Sequence, residues 1–114
     1  MIPVKICGIT SKQNAEIAIN NHASAIGIIF YNKSSRYVCP QINVEWIKGL
    51  SGKIKKVGVF VDEDLEIVRS IATTLELDYI QLHGNETPDY CHSLNLPIIK
   101  AIRVGNTVDN IIIN

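Results

Sequence analysis

Apolar residues in this chain occur in short, uninterrupted runs that are separated by longer segments of mixed polarity. The runs read "PVKIC", "AIGIIF", "KVGVFV", "DYIQL" and "PIIKAIRV", and they are rich in Val and Ile. Strands buried on both faces show such continuous runs, whereas a half-exposed strand alternates apolar and polar residues. The pattern therefore predicts five strands of a parallel sheet.

Helical spacing and helix-capping residues occupy the segments between these strands. Thr10 and Gln13 fit a capping box, which predicts a helix over 12–21. Thr87 followed by Pro88 is a favourable N-cap and first-turn pair for a short helix. A second predicted helix has Ile42, Trp46 and Leu50 on one face. A third starts near Asp62 or Asp64 and carries Leu65, Val68, Ala72 and Leu75 on one face. A further helix is predicted to begin near Thr107.

The predicted elements alternate as successive βα units, with a strand beginning about every 20–30 residues. A doubly wound open sheet of flavodoxin type would be complete at 114 residues. A (β/α)₈ barrel would be only partly built, since such barrels need roughly 200 residues or more. Periodicity does not choose between these two architectures, but both place functional groups at the carboxyl ends of the strands. Residues 1–114 are predicted to form a single domain.

Composition narrows the range of partners and compartments. The chain is 46% apolar with 11 basic and 11 acidic side chains, so it lacks the basic surplus typical of a nucleic-acid-binding protein. No apolar run approaches the roughly 18 residues of a membrane helix, and no signal peptide is evident. Three widely spaced cysteines favour neither a structural disulfide nor a zinc site. A cytoplasmic protein is expected, without nucleic-acid or membrane partners.

Five motifs, distributed along the whole chain, add a specific signal. "VKICGIT", "AIGIIFYNKSSRYV", "VGVFV", "QLHGNE" and "IIKAIRV" together closely resemble the phosphoribosylanthranilate isomerase family of tryptophan biosynthesis. The resemblance implies a (β/α)₈ barrel, of which this chain is the N-terminal part with about five strands. It also implies a phosphorylated small-molecule substrate and an Amadori rearrangement of N-(5-phosphoribosyl)anthranilate that uses no cofactor and no metal.

The resemblance assigns roles to residues at the predicted strand ends. Cys7 matches the family's general base, and Arg36 matches the residue that binds the anthranilate carboxylate, which a guanidinium can hold through two parallel hydrogen bonds. The family commonly has proline where this chain has Ser35. His83 and Arg103 are weaker candidates for substrate binding, because orienting a loop or forming a structural ion pair would explain them equally well.

Other charged residues have structural interpretations, and some of the family's groups are not in this chain. Lys5 is expected to point into the barrel and to need a carboxylate partner, which would lie beyond residue 114. The resemblance also puts the general acid, an aspartate after the sixth strand, and the phosphate-binding loops beyond residue 114; Asp109 is not that acid. The chain alone is therefore expected to be inactive, with open strand edges and an apolar interior that favour association with itself or with a missing C-terminal half.

Two other interpretations from different functional classes remain open at this point. One is a flavodoxin-like binding module, although the chain lacks a G-x-G-x-x-G fingerprint and an acidic cluster at the first strand. The other is a non-catalytic βα fragment that retains the motifs and acts only by binding.

Overall fold

A computed structural model describes residues 4–104 and 107–113. Five parallel strands alternate with four helices in this part of the chain, and a sixth strand follows, so the predicted α/β class is confirmed. The elements in chain order are β1 (Lys5–Cys7), α1 (Lys12–Asn20), β2 (Ala25–Ile29), α2 (Val44–Lys48), β3 (Lys55–Phe60), α3 (Leu65–Leu75), β4 (Tyr79–Leu82), α4 (Pro88–His92), β5 (Ile98–Val104) and β6 (Thr107–Ile113).

The order of the strands decides between the two predicted architectures. All six belong to one sheet in the sequential order β1-β2-β3-β4-β5-β6, and the first five pair in parallel. A doubly wound sheet reverses direction at a switch point, as in the flavodoxin order 2-1-3-4-5. No such reversal occurs among the described strands, so the sheet has the connectivity of a barrel wall.

The helix predicted near Thr107 is wrong. Residues Thr107–Ile113 form β6, which pairs antiparallel with β5 from Val104↔Thr107 to Ile98↔Ile113. The sequence "TVDNIII" consists largely of β-branched residues, which favour strands. β6 also supplies hydrogen-bond partners to an edge of β5 that would otherwise be unpaired.

The helix starts follow local side-chain hydrogen bonds. Ser11, not Thr10, is the N-cap of α1, and its Oγ accepts a 3.1 Å bond from the N–H of Asn14. Asp64 caps α3 and Thr87 caps α4, as predicted. The second helix is shorter than predicted: Ile42 precedes it and is exposed, whereas Trp46 packs against the core.

The main core lies between the helices and the sheet face that carries Ile26, Ile28, Phe60, Ile80 and Leu82. Alternation along the strands turns the intervening residues to the opposite, inner face. The inner face was expected to be solvent-exposed, but Ile29, Val57 and Val59 are buried there. These residues belong to β2 and β3, each of which is paired with a strand on both sides. All three residues of β1, an edge strand with one neighbour, are exposed.

A buried lysine connects two helices to β3. Lys56 has no exposed surface, and its Nζ donates to the carbonyl oxygens of Ile47 in α2 and Leu75 in α3, and to Ser51 Oγ. Burial lowers the pKa of Lys56, while the nearby Asp78 and Glu76 charges oppose that shift. The ammonium group thereby satisfies carbonyl groups at the carboxyl ends of both helices, where the helix dipole favours a positive charge.

Candidate functional site

Cys7 is the last residue of β1 and is exposed at the carboxyl end of the sheet. The chain turns immediately after it: Gly8 has φ 84°, a left-handed conformation that favours glycine. The backbone N–H groups of Gly8 and Ile9 both donate to the Gly27 carbonyl, at 3.0 and 3.1 Å. A Cβ on Gly27 would lie 2.9 Å from Cys7 Sγ, so the thiol uses the space that this glycine leaves open.

Arg36 approaches the same turn from the loop that follows β2. The N–H of Val38 donates to the Ile29 carbonyl at 2.9 Å, and the N–H of Arg36 donates to Ser34 Oγ at 3.1 Å. The guanidinium lies beside the backbone of Gly8, because a Cβ placed there would be 2.5 Å from Arg36 Nη1. The positive charge of Arg36 is thus next to the Cys7 turn.

His83 follows the last residue of β4, and its backbone N–H donates to the Phe60 carbonyl at 3.0 Å. His83 Nε2 lies 2.7 Å from Gln81 Nε2, and Lys5 Nζ donates to Gln81 Oε1. The expected carboxylate partner of Lys5 is therefore replaced, within the described residues, by an amide oxygen. Partial exclusion of water and the positive charge of Lys5 lower the pKa of His83.

The contact between Lys5 and Gln81 also reports on the curvature of the sheet. Two strands, β2 and β3, lie between them. At about 4.8 Å per strand, β1 and β4 would be roughly 14 Å apart in a flat sheet. Side chains of this length meet across that gap when the sheet curves toward its inner face, as a barrel wall does.

Cys7, Arg36 and His83 line one cavity of about 450 Å³ at the carboxyl ends of the strands. These three residues and Lys5 were predicted from their positions in the sequence, but the other residues that line the cavity were not. Those are Ile29, Tyr31, Ser34, Val59, Val61 and Gln81. Gln81 could have been found from its i, i+2 spacing to His83, which puts both side chains on one face of a strand. Arg103 belongs to β5, but its side chain lies outside the described residues, so its role stays a prediction.

A buried ion pair stabilises the loop that follows His83. Glu86 Oε1 accepts from Lys100 Nζ, and the Glu86 and Lys100 side chains are only 1% and 14% exposed. Glu86 also accepts from the N–H groups of Asp62 and Gly84, at 2.8 and 3.0 Å. Burial would raise the pKa of Glu86, but the bonds from Lys100 and from the Asp62 N–H outweigh it and lower that pKa.

Residues 4–101, whose side chains the structure describes, contain no group of three or more His, Cys, Asp or Glu arranged to hold a metal ion. Each helix in the same part of the chain is too short or too polar to span a lipid bilayer.

Comparisons with known proteins single out one family. The sequence profile described as N-(5'phosphoribosyl)anthranilate (PRA) isomerase matches residues 4–113. The N-(5'-phosphoribosyl)anthranilate isomerase of Trichlorobacter lovleyi is 43% identical over 104 residues, covering 91% of this chain and 51% of that protein.

Solved structures of high similarity carry the same name. The phosphoribosyl anthranilate isomerase of Thermotoga maritima superposes with a TM-score of 0.83 and 36% identity, covering 88% of this chain and 50% of the other. A phosphoribosyl anthranilate isomerase in complex with reduced 1-(o-carboxyphenylamino)-1-deoxyribulose 5-phosphate gives the same TM-score and identity, with 88% and 53% covered. The chain thus spans about half the length of the relatives it matches.

Proposed function

Because this chain belongs to the N-(5'-phosphoribosyl)anthranilate isomerase family, we propose that it supplies the N-terminal part of an isomerase active site of tryptophan biosynthesis. The reaction is the Amadori rearrangement of N-(5-phosphoribosyl)anthranilate to 1-(2-carboxyphenylamino)-1-deoxyribulose 5-phosphate. The observation that carries the proposal is the convergence of Cys7, Arg36 and His83 on one cavity at the carboxyl ends of the strands. In parallel α/β barrels the active site lies at that end.

The rearrangement needs an acid and a base that act in sequence. The acid protonates the ribose ring oxygen, and the ring opens to an iminium ion. The base then takes the proton from C2. The electron pair of the broken C2–H bond forms a C1–C2 double bond, the C=N pair moves to nitrogen, and the resulting enolamine tautomerises to the ketone. Such paired proton transfers require two groups in opposite protonation states. We assign the base to Cys7, as its thiolate.

Arg36 is the proposed partner of the substrate carboxylate. Its guanidinium lies beside the Gly8 backbone, one residue from Cys7. A guanidinium holds a carboxylate through two parallel hydrogen bonds, which would fix the anthranilate ring relative to the thiolate. His83 lines the same cavity and has a supporting role in binding, and Arg103 adds positive charge toward the phosphorylated substrate.

The chain covers about half of the relatives that it matches. The resemblance implies that the general acid and the phosphate-binding loops follow later strands. We propose that these groups are supplied by a C-terminal half, with self-association of the chain as the competing process. The three cysteines are free, which agrees with a reducing cytoplasm as the compartment.

The test is complementation in trans. The 114-residue chain is mixed with the C-terminal half of the Trichlorobacter lovleyi isomerase, and conversion of N-(5-phosphoribosyl)anthranilate is followed by the loss of its fluorescence. Turnover is expected from the mixture and not from either part alone. Cys7→Ser should abolish it by removing the base, whereas Cys39→Ser, which changes a cysteine outside the cavity, should leave it unchanged.

Binding separates a failure of assembly from a failure of the proposal. If the two parts form a complex that binds reduced 1-(o-carboxyphenylamino)-1-deoxyribulose 5-phosphate but shows no turnover, the assigned chemistry is wrong. Equal turnover of the unmodified complex and the Cys7→Ser complex would likewise remove Cys7 as the base.

A further inference from the structure

The contacts that join Lys5, Gln81 and His83 determine which atoms of these side chains carry protons. These three side chains form a chain of polar contacts from β1 to the end of β4, with Gln81 in the middle. Gln81 is buried, while Lys5 and His83 also line the cavity that contains Cys7 and Arg36. Hydrogen-bonding capacity alone fixes how each group in this chain of contacts is oriented.

The first step concerns the amide of Gln81. A lysine ammonium has three N–H donors and no acceptor, so the atom that faces Lys5 Nζ must be the amide oxygen. The contact is to Gln81 Oε1, in agreement with this requirement. The NH₂ group of the same amide is consequently the atom that faces His83, at 2.7 Å from Nε2.

The second step concerns the histidine ring. An amide NH₂ donates hydrogen bonds and does not accept them, so His83 Nε2 must accept and cannot carry a proton. A neutral imidazole has one protonated nitrogen, which leaves the proton on Nδ1. We propose that Lys5 is a positioning residue that, through Gln81, holds His83 as the neutral imidazole protonated on Nδ1.

The charges around His83 favour the same protonation state. Exclusion of water and the positive charges of Lys5 and Lys100 lower the pKa of the ring, and the negative charge of Glu86 opposes them. Cys7 and Arg36 face the cavity from β1 and from the loop after β2. His83 therefore contributes a hydrogen-bond donor, Nδ1–H, and no positive charge. Among the described residues that line the cavity, Arg36 and Lys5 supply the positive charge.

This inference deepens the proposed function, since it sets the protonation of the same cavity, but its test needs no turnover. Ring nitrogens of the ¹⁵N-labelled chain are followed by two-bond ¹H–¹⁵N correlation between about pH 5 and pH 8, the range in which histidine ordinarily titrates. The exposed His22 and His92 are internal controls. We expect His83 to titrate at lower pH than histidine ordinarily does and to show a protonated Nδ1 and an unprotonated Nε2 when neutral.

Two substitutions test the two links separately. Gln81→Glu replaces the NH₂ donor by a carboxylate oxygen, so His83 is expected to switch to the Nε2–H form and its pKa to rise. Lys5→Met removes the donor that orients the amide and removes a nearby charge, so the Nδ1–H preference should weaken and the His83 pKa should rise. Lys5→Arg keeps a donor-only cation and should restore the original spectrum. Lys12→Met, which removes an exposed lysine, should have no effect.

Different results would contradict the protonation of His83, the role of Gln81 and the role of Lys5. A protonated Nε2 on His83 in the unmodified chain overturns the whole inference, whatever the variants do. An unchanged tautomer in Gln81→Glu refutes the role of Gln81, and unchanged His83 signals in Lys5→Met refute that of Lys5. Dispersed backbone amide signals establish that each variant is folded before its ring signals are interpreted.

Discussion

Gly27, a residue without a side chain, determines where the thiol of Cys7 lies. Its carbonyl accepts two N–H groups of the turn after Cys7, and its missing Cβ leaves the space that Cys7 Sγ occupies. The register of the sheet puts the two residues opposite each other, because Cys7 pairs with Gly27 across β1 and β2. The position of the proposed base therefore depends on the neighbouring strand as well as on its own.

Gly27→Ala is expected to displace the thiol. The new methyl group would meet Sγ at 2.9 Å, and overpacking of this kind costs about 1–3 kcal/mol of unfolding free energy. A displacement of about 1 Å can lower a rate by roughly 100-fold, so complemented turnover should fall by at least about tenfold. Urea unfolding and the isomerase assay measure the two effects.

Gly49→Ala is the matched control for that substitution. Gly49 has φ −61° at the end of α2, a conformation that any residue adopts, and it is not part of the cavity. The Gly49→Ala substitution should therefore leave turnover of the complex unchanged. Equal turnover of the Gly27→Ala complex and the unmodified complex would show that the thiol has room to move without consequence.

At the residue scale, residues at the ends of strands could be predicted from the sequence, whereas side-chain contacts between distant strands could not. Cys7 and His83 could be predicted because each follows an apolar run within a recognisable motif. The partner of Lys5 could not, since Gln81 is 76 positions away and two strands intervene. Their contact depends on the curvature of the sheet, which local patterns do not encode.

Among the elements, α2 and α3 are joined to β3 by Lys56. Lys56→Met should leave the carbonyl groups of Ile47 and Leu75 without this donor, and each buried group left unsatisfied costs about 1–3 kcal/mol. We expect a loss of at least about 2 kcal/mol in urea unfolding. Lys55→Met, at the exposed neighbouring position, should change stability by less than about 0.5 kcal/mol. Similar losses for both variants would contradict the connecting role of Lys56.

The loops after β3 and β4 depend on the ionised form of Glu86. Glu86→Gln should destabilise the chain at pH 7 by about 2 kcal/mol or more, because it leaves Lys100 without its buried counter-charge. The pKa of Glu86 is lower in the folded chain than its ordinary value. Its contribution is thus fully present above the unfolded-state pKa and is lost as the pH falls through the folded-state pKa. The difference between the two proteins should therefore shrink in acid.

Glu66→Gln provides the comparison for Glu86. Glu66 pairs with Arg69 on the surface of α3, and its side chain is 75% exposed. Exposed pairs contribute about 0–1 kcal/mol, so this variant should be nearly as stable as the unmodified chain at every pH. A Glu86→Gln variant that behaved in the same way would show that the buried pair does not stabilise the loops.

Element starts and types differed in how well the sequence predicted them. The five parallel strands followed directly from the continuous apolar runs. The N-cap of α1 moved from Thr10 to Ser11, because both residues can cap a helix and only the backbone geometry distinguishes them. Thr107 was misassigned because the regular βα alternation favoured a helix, whereas β-branched residues and the unpaired edge of β5 favoured a strand.

For the whole molecule, β1 is an exposed edge of the sheet. Val4 is 52% exposed and Ile6 is 38% exposed, beside a strand with one hydrogen-bonded neighbour. Unpaired strand edges with apolar side chains promote pairing with other chains. We expect the isolated chain to associate as its concentration rises, as measured by sedimentation equilibrium.

Ile6→Lys should reduce this association by placing a charge beside the edge strand. Ile67→Lys makes the same change on α3, where Ile67 is 47% exposed, and it should have little effect. Association that responds equally to both substitutions, or to neither, would mean that β1 is not the surface involved.

Because β6 forms a hairpin with β5, a new parallel strand can pair with β1 more easily than with β5. β6 occupies seven positions along β5, so a parallel strand that joined the sheet there would first have to displace it. β1 presents a vacant edge and requires no such exchange. Completion of the wall by another polypeptide should consequently begin rapidly at β1 and finish slowly at β5, with the release of β6 as the slow step. Early protection of the β1 amides from hydrogen exchange after a complementary half is added, followed by faster exchange of the β6 amides than in the isolated chain, would mark that order of events.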